Sequence, residues 1–140
     1  MRNIEKVKAF FARDNYLAMT GVSIDEVGDD CAVCSLEIAD IHLNAAGVIQ
    51  GGAVYTLADS AFAVASNAGF LDRDEKKLAV NQSATISYFR PPKGGKLIVS
   101  AKKIDGGNRV SVYRMEVSDE SGTAVALMIG NAYAVELGKP

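Results

Sequence analysis

Residues 50–68, QGGAVYTLADSAFAVASNA, decide the fold. At 100° per residue, Val54, Leu57, Ala58, Ala61, Val64, Ala65 and Ala68 line one broad apolar face. The opposite side holds Thr56, Ser60, Ala63 and Asn67, where a helix facing water would show Lys and Glu. A helix that is apolar or small all round is normally buried, so the pattern predicts a helix over 53–68 with protein on every side. Between Asp40 and Asp72 a single residue, Asp59, bears a formal charge.

Outward from this segment the punctuation changes. The preceding stretch, HLNAAGVIQGG, reads as a glycine-rich loop, and the following one, LDRDEKK, as a charged loop. Near the start, residues 4–14 place Ile4, Val7, Phe10 and Phe11 at helical spacing, with Asn3 as N-cap. Residues 20–38 read as strand, turn (EVGDD) and strand, with Ala32, Cys34, Leu36 and Ile38 alternating. Segments 79–89, 97–104, 110–118 and 123–136 are rich in Val, Ile, Tyr and Thr, and RPPKGG, DGGNR and SDESG separate them. Their even spacing suggests an antiparallel meander. The order of elements is that of an α+β domain, an antiparallel sheet wrapped around one long central helix.

Composition bounds the class. A chain of 140 residues, 49% hydrophobic and 23% charged, is expected to form a single domain over 1–140. Fifteen basic residues against 17 acidic ones, with no basic block, argue against a nucleic-acid partner. The start, MRNIEKVK, lacks the apolar core of a secretory signal, and the uncharged stretch 41–71 is broken by Gly, Asn and Asp59. A cytoplasmic protein without a membrane span is therefore expected. Cys31 and Cys34 lie three apart in a strand and should point to opposite faces, as small apolar residues rather than a redox pair. With one histidine in the chain, no metal site is expected.

The chemistry centres on Asp59. It shares an edge stripe with Tyr55, Phe62 and Ser66, and a carboxylate among apolar neighbours is costly unless it is used or fully hydrogen-bonded. Gly51 and Gly52 open the same helix, where the first N–H groups are unpaired and positively poised, which suits an oxyanion. No Lys follows the glycines, so a phosphate loop is a poor match. Asp59 lies eight residues beyond Gly51, about 12 Å along a helix, so the two reach one carbonyl only from two subunits across a two-fold axis. His42 stands in a loop without a nucleophile elbow and reads as a packing residue.

HLNAAGVIQGGAVYTLADSAFAVASN resembles the signature of hotdog-fold acyl-CoA thioesterases of the PaaI-like branch, N-x-x-G-x-x-H-G-G followed by a helix with L-A-D-x-A. NQSATISYFRPPKGGKL resembles the strand and R-P turn that follow in that family. The likeness runs from about residue 20 to 136. It implies Asp59 as general base or nucleophile, and Gly51 as the N–H that polarises the thioester carbonyl from the partner subunit. Asn44 would orient the carbonyl or the attacking water, and Asn81 would sit near that water. Gln50 departs from the family, occupying the usual His position; it can donate a hydrogen bond but not titrate. Gly52, Asn81, Phe62, Tyr88, Arg90 and Lys93 are the candidate substrate contacts, the last two, with Lys96, for coenzyme A phosphates. The resemblance implies a coenzyme A thioester substrate, a homodimer that pairs again into a homotetramer, and no cofactor or metal. A non-catalytic acyl-CoA or acyl-ligand binding protein on the same fold is the alternative, favoured by Gln50. A hotdog dehydratase, which pairs a His with a carboxylate, fits less well because His42 is poorly placed.

Overall fold

The computed structural model describes residues 3–107 and 109–138. In chain order it contains α1 (Ile4–Phe11), α2 (Asn15–Thr20), β1 (Ser23–Gly28), β2 (Cys31–Glu37), a 3-10 turn (Asp40–His42), α3 (Gly51–Asp72), β3 (Lys77–Tyr88), β4 (Lys96–Gly106), β5 (Val110–Asp119) and β6 (Ala124–Glu136). The strands form one sheet in the order β1-β2-β4-β5-β6-β3, with every neighbouring pair antiparallel. α3 packs on all six strands, which is the hotdog architecture expected from the sequence.

The predicted face of α3 is the core. Val54, Leu57, Ala58, Ala61, Val64, Ala65 and Ala68 are all buried, packing with Leu36, Leu97, Val99, Met115, Val117 and Met128. The uncharged far side is also covered: Ser60 and Asn67 are buried, and Thr56 and Ala63 are half-buried. Asn67 ties this side to β3. Its Oδ1 accepts from Ala79 N at 2.8 Å, and its Nδ2 donates to Ala63 O and Ala79 O at 2.9 and 3.0 Å. Cys34 is buried against the helix, where burial, aided by the Asp25 carboxylate, pushes its thiol up to about 12. Cys31 is half-buried, and both thiols are free.

Three expectations need correction. The last four strands are not one meander: only β4, β5 and β6 run in sequence, and β3 lies at the far edge beside β6. RPPKGG therefore belongs to a crossing connection rather than a hairpin. Crossing from β3 to β4 covers three strand spacings, about 14 Å, within reach of the seven-residue segment 89–95. Second, α3 begins at Gly51 and ends at Asp72, longer at both ends than the segment 53–68. Third, α2 is absent from the sequence reading. At six residues it is too short to show a period; Asp14, whose Oδ1 accepts from Leu17 N at 2.9 Å, and Gly21 at φ 82° are the cap signals that mark it.

The crossing connection is pinned by Asp119. Its Oδ2 accepts from Lys93 N and Gly94 N at 2.7 and 3.1 Å. Its Oδ1 accepts from Ser121 N, Ser121 Oγ and Thr123 N at 3.0, 2.7 and 2.9 Å. These donors, the Ser121 hydroxyl first, hold the buried carboxyl far below the usual range.

Candidate active site

The loop ahead of α3 is shaped by Asn44. Its Oδ1 accepts from Ala46 N and Val48 N at 2.9 and 3.1 Å, and its own N–H donates to Val48 O at 2.7 Å. The carboxamide oxygen is thus committed to the loop, and only the amide nitrogen remains to donate outward. His42 serves the same loop: Nδ1 accepts from Ala39 N at 2.9 Å and Nε2 donates to Thr20 O at 2.7 Å. Gln50 N donates to His42 O at 2.8 Å, which delivers the chain to the start of α3.

Gln50 is the N-cap, with extended φ −72° and ψ 136°, and its side chain makes no capping bond. Its carboxamide lies over Gly52 instead; a Cβ at Gly52 would come within 2.5 Å of Gln50 Oε1, so a side chain there would displace that carboxamide from its present position. The N–H groups of Ala53 and Val54 turn back to Gln50 O at 2.9 and 3.3 Å. Those of Gly51 and Gly52 precede the helical ladder, at the positive end of the helix dipole, with no acidic side chain in the first turn. Tyr88 sits against Gly51, its hydroxyl donating to Gly51 O at 2.9 Å. Partial burial and the neighbouring Tyr55 raise the Tyr88 phenol above its ordinary value.

Asp59 is half-buried, two turns further along α3. Asn81 Nδ2 donates to its Oδ1 at 3.0 Å. Neither Tyr55 nor Ser60 holds it; Ser60 Oγ donates to Thr56 O at 2.6 Å. A bulge in β3 makes this arrangement possible. Asn81 pairs with Ala132 and Ser83 with Asn131, which leaves Gln82 as the extra residue. Before the bulge the odd positions Ala79 and Asn81 turn toward α3; after it the even positions Ala84, Ile86 and Tyr88 do. Without that one-residue shift, Asn81 and Tyr88 would lie on opposite faces of the strand. The alternation in the sequence does not reveal it.

The candidates therefore divide. Gln50, Gly51, Gly52, Tyr88 and the Asn44 loop gather at the N-terminal end of α3, and Asp59 with Asn81 forms a second cluster two turns away. Phe62, a candidate substrate contact, is instead core: it is 2% exposed, with its ring 5.5 Å from Tyr113 and pressed against Gly130. Arg90 is exposed, but its guanidinium donates to Ala124 O at 2.6 Å, and Lys93 gives its backbone N–H to Asp119. Among the described residues no cluster of His, Cys, Asp and Glu could hold a metal ion, and no helix is long and apolar enough to cross a membrane.

A six-stranded antiparallel sheet wrapped on one long buried helix defines a hotdog domain. The thioesterase superfamily model matches residues 46–126, and the chain belongs to that superfamily, in its PaaI-like branch. It is 26% identical over 132 residues to the acyl-coenzyme A thioesterase PaaI of Escherichia coli K12, covering 94% of this chain and 90% of that protein. The solved E. coli PaaI structure superposes with a TM-score of 0.84 over 94% of this chain and 91% of that one. A mutant of the phenylacetic acid degradation protein PaaI from Thermus thermophilus is 34% identical, with a TM-score of 0.75 over 84% of this chain and 96% of that one. The activity of this chain is accordingly thioester hydrolysis.

Proposed function

We propose that the chain hydrolyses acyl- or aroyl-coenzyme A thioesters as a cytoplasmic homodimer, two of which pair into a tetramer. The observation that supports it most directly is the division of the site. Gly51 and Asp59 belong to one helix, yet about 12 Å of helix rise separates them. A two-fold axis that pairs two α3 helices antiparallel sets Gly51 of one protomer opposite Asp59 of the other. β3, which carries Asn81, is one of the two edge strands and runs for 12 residues with Val80 and Tyr88 exposed, the kind of edge a second copy covers.

In this reading the thioester carbonyl oxygen lies at the Gly51 N–H, with the Gln50 and Asn44 amides as further donors. These are placed where negative charge develops in the transition state. The partner's carboxylate, held through one oxygen by Asn81, uses the other in one of two ways. As general base it takes a proton from water as the water oxygen attacks the carbonyl carbon. As nucleophile it attacks directly, giving a mixed anhydride that water then hydrolyses. In both routes the tetrahedral centre collapses with loss of coenzyme A thiolate. A thiol titrates near 8.5, so this leaving group departs without a general acid, and Gln50 is chemically sufficient where a His would otherwise stand.

The test is loss of thioester absorbance with short, long and aromatic acyl-coenzyme A substrates, run on wild type and Asp59→Asn in parallel. Turnover that falls by about 10²-fold or more with the carboxylate supports the mechanism. Near-normal turnover in the variant overturns it. Stabilisation by the same ligands without turnover in wild type supports the binding-protein reading that Gln50 favours.

A further inference from the structure

Beside the start of α3 lies a groove of about 590 Å³, inside the size range of small-molecule sites. Its walls are Met19, Val22, Leu36, Ile41, Leu43 and Ala53. None of its lining residues is Asp, Glu, Lys or Arg, and both ring nitrogens of the lining His42 are already bonded to backbone. One end opens onto Gln50 and Gly52. Across it, the Tyr16 hydroxyl meets Thr56 Oγ1 at 3.2 Å and ties α2 to α3. The rim is conspicuously apolar: Met19 is 75% exposed, Ile41 73% and Tyr16 65%. An uncharged apolar groove of this kind marks a place where apolar material binds.

We propose that this groove holds the acyl group of the thioester and selects linear aliphatic chains of medium length over acetyl and propionyl groups. The inference rests on the reading above, in which Gln50 and Gly51 hold the carbonyl: a chain leaving that carbonyl past Gly52 enters the groove directly. The uncharged walls exclude the coenzyme A phosphates, so the acyl end is the part of the substrate that matches. A methylene takes about the space of a water, ~30 Å³, so 590 Å³ has room for an aliphatic chain of medium length with water left at the open rim. Met, Ile, Leu and Val walls suit a flexible chain. The polar side chains nearby, His42, Tyr16 and Thr56, are paired, so a polar acyl group gains no partner from them. α2 thereby sets specificity, although it lies outside the motif that carries the chemistry.

Two thioethers, S-octyl- and S-ethyl-coenzyme A, test the groove without catalysis, because neither has a carbonyl to hydrolyse. Affinities are measured by calorimetry on wild type, Ile41→Lys and Met19→Lys, with oligomeric mass by light scattering. Each buried methylene tightens binding about three- to fourfold, so wild type is expected to prefer the octyl ligand by about thirtyfold or more. In the lysine variants at least tenfold of that preference disappears, while S-ethyl affinity and mass stay as in wild type. Equal affinity for the two ligands in wild type, or the full preference in both variants, overturns the proposal. So does a change in mass, which assigns the groove to contact with a second copy. Binding of neither thioether overturns it as well, together with the coenzyme A reading. Loss of the thioesterase mechanism alone shows elsewhere, in the acyl-coenzyme A turnover of Asp59→Asn.

Discussion

Around Asp119 the β5–β6 turn and the crossing connection supply five hydrogen bonds to one buried carboxylate. Around Asp59, Asn81 supplies one, and the carboxylate stays half-buried. Both are aspartates at the margin of the same core, and neither sits in an ion pair among those described. The difference lies in how many lone pairs the fold consumes. Asp119 is stabilised as an anion and held in place, so its part is structural. Among the described residues Asp59 is held by one donor, which leaves its second oxygen for the role proposed for it.

Exchanging subunits breaks this comparison most sharply. Asp59→Asn and Gly51→Pro are each expected to lose about 10²-fold or more in turnover as homodimers. Proline fits the first position of a helix, and Gln50 before it is already extended, so Gly51→Pro removes an N–H without breaking α3. Co-refolding the two inactive chains forms mixed dimers with one intact site, and about a quarter of wild-type activity returns. Continued inactivity of the mixture, with exchange shown by mass spectrometry, rules out a site shared across the two-fold.

Asp119→Asn should behave in the opposite manner, losing stability while kcat per folded molecule stays unchanged. Because the carboxyl of Asp119 is depressed in the folded state, its contribution is fully present above the unfolded value of about 3.9 and fades as pH falls below it. Thermal unfolding of wild type should therefore weaken on acidification from about pH 4 downward, and this part of the profile should flatten in the variant. An unchanged acid profile would remove Asp119 as the hub of the crossing connection.

Asn67→Leu probes the seam between α3 and β3, where three hydrogen bonds meet one buried amide. Leaving the backbone groups of Ala79 unpaired is expected to cost about 1–3 kcal/mol in denaturant unfolding. Tyr88→Phe removes the bond to Gly51 O at an exposed site, for a smaller cost of about 0.5 kcal/mol. If Tyr88 only steadies the helix start, KM and kcat shift together by a few-fold. A selective loss in kcat assigns its hydroxyl to the reaction.

Much of this molecule is legible in the chain because the signals are local. The buried helix shows itself in residues 50–68, since seven apolar positions at helical spacing and an uncharged reverse face leave little else to form. The strands show themselves by alternation between turn residues. Asp59 stands out as the single charge in a long neutral stretch, and Gly51 and Gly52 by their place ahead of the helix. What surrounds several candidate site residues is set by non-local contacts. Phe62 lies on the Asp59 stripe, yet Gly130, far away in the chain on β6, makes room for its ring. For Arg90 and Lys93 the sequence shows two cations beside a Pro-Gly turn, but not that the Arg90 guanidinium donates to Ala124 O or that the Lys93 backbone N–H donates to Asp119, which leaves the Lys93 ammonium exposed.

The sequence by itself determined the long helix, the strand segments and which face of α3 is core, and it singled out Asp59 as the candidate carboxylate. Each of these follows from side-chain period and from the cost of burying charge. Only the tertiary structure decided that β3 crosses to the far edge beside β6, and that a bulge at Gln82 turns both Asn81 and Tyr88 toward α3. It also decided that α2 closes an apolar groove against the helix start. Those features depend on which strands pair and in what register, a choice set by packing over the whole sheet rather than by any one stretch of residues.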